Sequence, residues 1–421
     1  MPRLRCSLPG AGGWFAQVPA YRLATLRVAL AVTTIVFHVP KFNGLIREYL
    51  SSDFHMPPAF AWIPALTRTE GAALIVLQYL AACGLLVGLL PRVCAWFLAA
   101  AGFYIIALDP EHYAHNAQFH LTLLALVGCS GDRVSLVRLL QPGDGDTCPA
   151  WPERIVRIQL SIVFFYAALD KVFSPFWGMA GTLLTTLDVA QHGTALTALV
   201  RINQAVMREF AAPLGMLMIA IEFSLAVAFL LPRLWPAGLL LCFAFLVYLE
   251  FLVRPGLFTW DALAALVMFV PASDHSWTIE YHADHASCRL RRRLLEWLDW
   301  LRRVRWVPSG GTAAAAPGLT AVAGDARPQL LLGDAHGRVY SGLRAIRLFP
   351  VIFPGPVFVV MVLARFGGGF LSSRGYGHWD DLPFFMLGGL LVLWIPGVGR
   401  FGHRARLLDM LRAAPSVRRG P

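Results

Sequence analysis

Two lysines, Lys41 and Lys171, stand in a chain whose 36 Lys and Arg residues are otherwise all arginine. An arginine keeps its proton at any useful pH. A lysine desolvated by apolar neighbours can be neutral near pH 7 and accept one. Lys171 follows the apolar run 158–169 within RIVRIQLSIVFFYAALDKVFSPFWG, residues 154–178. That run is long enough for the core of a membrane helix, yet Arg154, Arg157 and Gln159 bracket one end and Asp170 and Lys171 the other. Lys171 is therefore a candidate proton acceptor, or else a snorkelling lysine that marks the helix end.

Ionisable residues at membrane depth are costly, so each needs a partner or a task. Besides Lys171 the apolar stretches hold Arg27, His38, His120, Glu222, Glu250 and Asp261, with His112 and His115 just outside. Structural pairing, Arg27 or Arg157 with an acid, accounts for some of them. A lysine, two acids and histidines turned to one bundle interior would form a proton-handling site instead. The turn DPEHYAHNAQFH, residues 109–120, supplies His112, His115 and His120. The 112/115 spacing could suit a metal but lacks a third ligand, so no metal is expected, and the histidines are read as polarising a substrate near Lys171. His275, His282 and His285 with Asp284 read as a solvated surface. The seven cysteines are scattered without metal or redox spacing.

These residues need a membrane bundle to position them. The chain is 57% hydrophobic and 14% charged with a mean hydropathy of +0.59, whereas a soluble domain carries about 25% charged residues. The formal charge of +11 resides in arginines at loops and chain ends, the positive-inside pattern, and nucleic acid is not an expected partner. Apolar stretches long enough for about 30 Å of hydrocarbon lie near 23–40, 71–90, 93–109, 117–133, 156–174, 213–232, 235–253 and 256–271. The expectation is an all-α, polytopic bundle of about eight spans. Its N-terminus and basic loops face the cytoplasm of a bacterial inner membrane, and Lys171 lies at the outer end. Residues 276–307 include a basic amphipathic stretch, 287–307, read as a helix on the inner leaflet among membrane lipids. Residues 308–327 form a Gly-, Ala- and Pro-rich linker. Residues 328–421 form a small C-terminal α/β or membrane-associated region, with two short strands over 328–346 and two interrupted apolar stretches at 347–366 and 383–398. No internal repeat stands out.

Several ordered stretches resemble the horizontally transferred transmembrane domain, the fold of vitamin K-dependent gamma-carboxylases and their bacterial relatives. YRLATLRVALAVTTIVFH resembles the family's opening helix, with Arg27 at its arginine. DFHMPPAFAWIPAL resembles the outer loop, and LDPEHYAHNAQFHLTLLALV the entry to the fourth helix. RIQLSIVFFYAALDKVFSPFWGMAG is similar to the family's Arg-x-Gln…Lys…Trp…Gly motif and is the most specific of the four. The resemblance spans about residues 18–275. It implies that Lys171 is the base for reduced vitamin K or menaquinol, and that His115 or His120 assists. Glu222, Arg157, Asn116 and Trp177 would then line the substrate site. In the carboxylases the resulting anion reacts with O₂, and the basic product removes a γ-proton from a protein glutamate, whose carbanion captures CO₂.

The departures from the family pattern are specific. The Asn-His order appears here as His115–Asn116, the seventh helix offers only Glu250, one extra residue separates Lys171 from Trp177, and no large lumenal domain for a recognition propeptide is expected. The C-terminal LLLGDAHGRVYSGLRAIRLF and LWIPGVGRFGHRARLL faintly resemble a DCC thiol-disulfide oxidoreductase domain without its cysteine motif. The expectation is a quinol-dependent epoxidase or carboxylase, a carbon–carbon lyase if the second half-reaction is kept. Two other readings stand beside it: a non-catalytic protein that binds a lipid or quinone or scaffolds a partner, and a proton-coupled transporter.

Overall fold

The computed structural model describes residues 13–41, 66–108, 115–130, 134–140, 147–173, 205, 209–252, 257–270, 275–281, 283, 285–308, 331–334, 338–340, 345 and 348–373. The chain divides into two units: residues 1–273 with 358–381, and residues 274–357 with 382–421.

In the first unit each of the eight apolar stretches is helical. The helices are α1 (Tyr21–Thr33), α2 (Arg68–Val87), α3 (Pro91–Leu108), α4 (His115–Ser130), α5 (Trp151–Phe173), α6 (Ala211–Leu230), α7 (Trp235–Leu252) and α8 (Leu257–Ala265). Among the described residues four segments are long and apolar enough to cross a bilayer on their own: Tyr21–Lys41, Arg68–Val87, Ala212–Leu230 and Pro232–Leu249. The apolar helices at Pro91–Ala107, Ala117–Ser130 and Leu257–Phe269 are shorter, and α5 is long but carries Glu153, Arg154, Arg157, Asp170 and Lys171. The all-helical membrane architecture thus stands. Eight crossings is the larger count, and four is what length and composition alone support.

The bundle is built around α1, mostly apolar and buried at every residue from Leu23 to Thr33, Arg27 included. It packs against α2, α4, α5 and α8. The peripheral helices present Val76, Leu80, Val93 and Trp96 outward, as a lipid-facing surface should. A capping box starts α2: Glu70 N donates to Thr67 Oγ1 at 3.3 Å, and Thr67 N donates to Glu70 Oε2 at 2.8 Å. Gly88 ends it at φ +81°, where a side chain would be strained and its Cβ would lie 2.8 Å from Ser135 Cα. Close helix contact across α3 and α4 depends on missing side chains. A Cβ on Gly102 would fall 2.3 Å from Leu121 Cδ2, and one on Gly128 would fall 2.8 Å from Trp96 Cδ1.

The second unit holds a four-stranded sheet of order β4-β3-β5-β6, where β3 is Trp277–Tyr281, β4 Val304–Pro308, β5 Leu331–Asp334 and β6 Val339–Tyr340. Strands β1 (Gln17–Pro19) and β2 (Thr147–Pro149) pair separately beside the bundle. β3 and β4 run parallel, which requires a crossover, and helix α9 (Ala286–Leu298) supplies it. The amphipathic helix expected over 287–307 therefore ends at Leu298. There Asp299 accepts hydrogen bonds from Arg303 N and Val304 N, both at 2.9 Å, and the chain turns back into β4. Ile279, Val304, Leu332, Leu348, Ile352 and Phe353 form the core of this unit. A further helix, α10 (Pro354–Ser373), begins beyond it, and the apolar stretch 383–398 lies outside the described residues.

Candidate functional site

Lys171 sits in the last turn of α5, and a helical side chain leans toward its own N-terminus. Its ammonium nitrogen is thereby carried back down the helix, where it donates to Ala167 O at 3.1 Å. From α6, Glu222 reaches the same point, and Nζ lies 2.8 Å from each of its carboxylate oxygens. The two side chains are 13% and 5% exposed. A symmetric, charge-assisted contact of this length fixes the amine against the carboxylate. α5 and α6 share the most extensive helix contact in the bundle. Ser161 Oγ donates to Ala226 O at 2.6 Å, and Phe164 meets Phe229 with centroids 6.0 Å apart. The amine is therefore held by a rigid helix pair.

A second ionisable centre forms where α1, α4 and α8 meet. His120 Nδ1 lies 3.0 and 2.9 Å from the two oxygens of Asp261, and His120 Nε2 lies 3.0 Å from Thr34 Oγ1. Thr33 Oγ1 donates to Asp261 Oδ1 at 3.1 Å. Thr34 Oγ1 donates to Leu30 O at 2.7 Å. With its one proton so used, Thr34 offers an acceptor to Nε2, and Nδ1 faces the carboxyl group. His38 packs its ring 4.6 Å from that of His120. The residues Thr34–His38 form a π-helical turn continuing α1. Such turns insert one residue into the helical repeat and re-aim the side chains beyond it. Here the turn brings Thr34 and His38 onto one histidine.

The two centres are on different helices, whose aromatic rings pack against one another. Phe119 of α4 lies 6.0 Å from Phe258 of α8, and Phe258 lies 6.3 Å from Phe164 of α5. Arg157 belongs to neither centre. It lies about 21 Å from Lys171 along α5 at 1.5 Å per residue. There its Nε donates to Met268 O at 2.8 Å, and its guanidinium packs 4.6 Å over the Trp235 ring. Glu153, a turn before it, accepts from Arg22 at 3.0 Å and faces Arg157 at 3.5 Å. This network ties α1, α5 and the end of α8 together at the opposite end of α5.

The structure thus brings Lys171 and Glu222 together, sets His120 with Asp261, and places Arg157 apart. His115 and Asn116 open α4, and their side chains, like that of Glu250, lie outside the described residues, as does Trp177. Asp261 and the Thr33–Thr34 pair are members of the second centre that the sequence motifs do not mark as such. The available signal was a lone acid in an apolar run and two adjacent threonines in an otherwise aliphatic helix.

The family model of the HTTM domain matches residues 15–277. No curated protein and no solved structure matches the chain.

Proposed function

The chain belongs to the HTTM domain family, a membrane domain found in vitamin K-dependent carboxylases, and on that premise we propose that it acts on a reduced quinone, with Lys171 as base and Glu222 as its positioning partner. The observation that carries this reading is the amine fixed 2.8 Å from both Glu222 oxygens in a largely apolar setting. The surroundings fit a lipid-soluble quinol: Phe165, Tyr166, Val172 and Phe173 are exposed apolar side chains on the same end of α5. A quinol such as reduced vitamin K or menaquinol would supply an acidic phenolic O–H and, once ionised, reactivity toward O₂.

The chain's own residues handle the proton. For Nζ to act as a base its proton must first pass to Glu222, 2.8 Å away, which leaves the amine a lone pair. Nζ then takes the phenolic proton as that O–H bond breaks, and the ammonium remains beside the developing oxyanion, which it stabilises. Ala167 O and Glu222 keep the amine aimed throughout. His120, held by Asp261 and Thr34, is a second proton-holding group on the adjacent helices. Carboxylation of a protein glutamate is the further half-reaction that a family carboxylase would add.

The test is oxygen-dependent epoxide formation from reduced vitamin K or menaquinol by purified protein, wild type beside Lys171→Arg. Product that disappears in the arginine variant, while folding and quinone binding persist, supports the base. A folded protein that binds quinone and gives no product supports a second reading, a non-catalytic lipid or quinone binder. The observation favouring that reading is that the Lys171–Glu222 pair also joins α5 to α6 as a structural tie.

A further inference from the structure

Helix α9 buries one face and leaves an apolar stripe on the other. Its inner face packs on the sheet: Cys288 is buried, Leu295 packs against the core of the second unit, and Arg292 bonds Glu296 at 2.7 Å and the Tyr281 hydroxyl. At about 100° per residue, Leu290, Leu294, Trp297 and Leu298 fall on the opposite side. They are exposed, Leu290 at 59%, Leu294 at 53% and Trp297 at 58%. Arg291 flanks this stripe on one side and Arg289 and Arg293 on the other, all exposed. Arg289 also donates to Ala283 O at 2.7 Å, which steadies the start of the helix.

A helix already docked on one face does not need a second apolar stripe to fold. Large apolar side chains flanked on both sides by arginines match one surface in charge and in depth: the anionic interface of a bilayer. There the stripe enters the acyl boundary, Trp297 sits at headgroup level and the guanidinium groups meet lipid phosphates. In sequence only a short segment separates Val270, which ends the helical turn after α8, from Ala286. A tether of that length lets the stripe reach a bilayer at raised effective concentration. We propose that the Leu290–Leu294–Trp297–Leu298 face of α9 is a docking surface for anionic membrane lipid. This is independent of the quinol reading.

The test uses the full chain in lipid nanodiscs, with an environment-sensitive fluorophore on Leu294→Cys and the labelled wild type as background for the native cysteines. In discs of phosphatidylcholine plus phosphatidylglycerol, the probe should shift to the blue and be quenched by nitroxide-bearing lipids. Quenching should weaken in pure phosphatidylcholine, in high salt, and in Leu294→Cys protein also carrying Arg291→Gln and Arg293→Gln. Each arginine should change the docked-to-free ratio about fivefold. A probe that lipid nitroxides never quench overturns the proposal, including the case in which Leu294→Cys cross-links two copies. Quenching that is indifferent to phosphatidylglycerol, salt and the arginines also overturns it, because the anionic surface would then play no part.

Discussion

Lys171→Arg keeps a cation beside Glu222 and removes the group that can be a base. It should lower quinol turnover by at least the 10²–10⁴-fold typical of a lost general base, with little change in melting temperature. Glu222→Gln should depress the same activity and also weaken the α5–α6 tie, so both turnover and thermal stability would fall. At the other centre, Asp261→Ala leaves His120 without its carboxylate partner in a fully buried position. Removing one member of a buried pair costs about 3–5 kcal/mol, read as a lower melting temperature in detergent. Lys171 was legible because lysine is so rare in this chain. Its partner Glu222 was legible as one acid in an aliphatic helix. The pairing of His120 with Asp261 was not, because 141 positions separate them and no local pattern encodes which distant acid a histidine will meet.

Hydropathy marks where the helices lie and says little about what lets them approach. Gly102 is one position where approach decides the site, since a Cβ there would fall 2.3 Å from Leu121 Cδ2 and 3.2 Å from His38 Nε2. Gly102→Ala should therefore overpack the α3–α4 contact, at a cost of about 1–3 kcal/mol, and displace His38 from the His120 ring. Scanning calorimetry of the purified variant measures the first effect, and the accompanying change in activity reports the second. The π-helical turn at Thr34–His38 lay below what the apolar pattern reveals, because inserting a single residue leaves that pattern unbroken. The break at Asp299 was equally hidden. Leu and Arg alternate at helical spacing well past Leu298, and the helix stops because buried Asp299 captures two backbone N–H groups ahead of it.

Along α5 the cations are segregated. Arg22, Arg154 and Arg157 lie at one end of α5, around Glu153 and Trp235, and Lys171 lies at the other. Positive charge beside membrane helices is retained on the cytoplasmic side. A cysteine replacing exposed Asp170 should thus react with an impermeant maleimide from outside intact cells, while one at Arg233 should react only after lysis. The reverse pattern would invert the orientation. The existence and type of the eight helices were legible from composition because lipid and core both demand apolar side chains. The number of complete crossings was less so: short helices such as α8 are buried by their neighbours, and burial inside protein leaves the same apolar signature as burial in lipid.

The enclosed position of α1 bears on how the protein is made. α1 leaves the ribosome well before α8, with Arg27, Thr33, Thr34 and His38 on its surface. The carboxylate that Thr33 will bond, Asp261, emerges 228 residues later. At synthesis rates of about 5–20 residues per second, the interval lasts roughly 10–45 s. Throughout it, the polar groups of the nascent helix face hydrocarbon or the insertion machinery. α1 gains its Asp261 contact only once α8 is made, so biogenesis should depend on an insertase that shelters its polar groups until then.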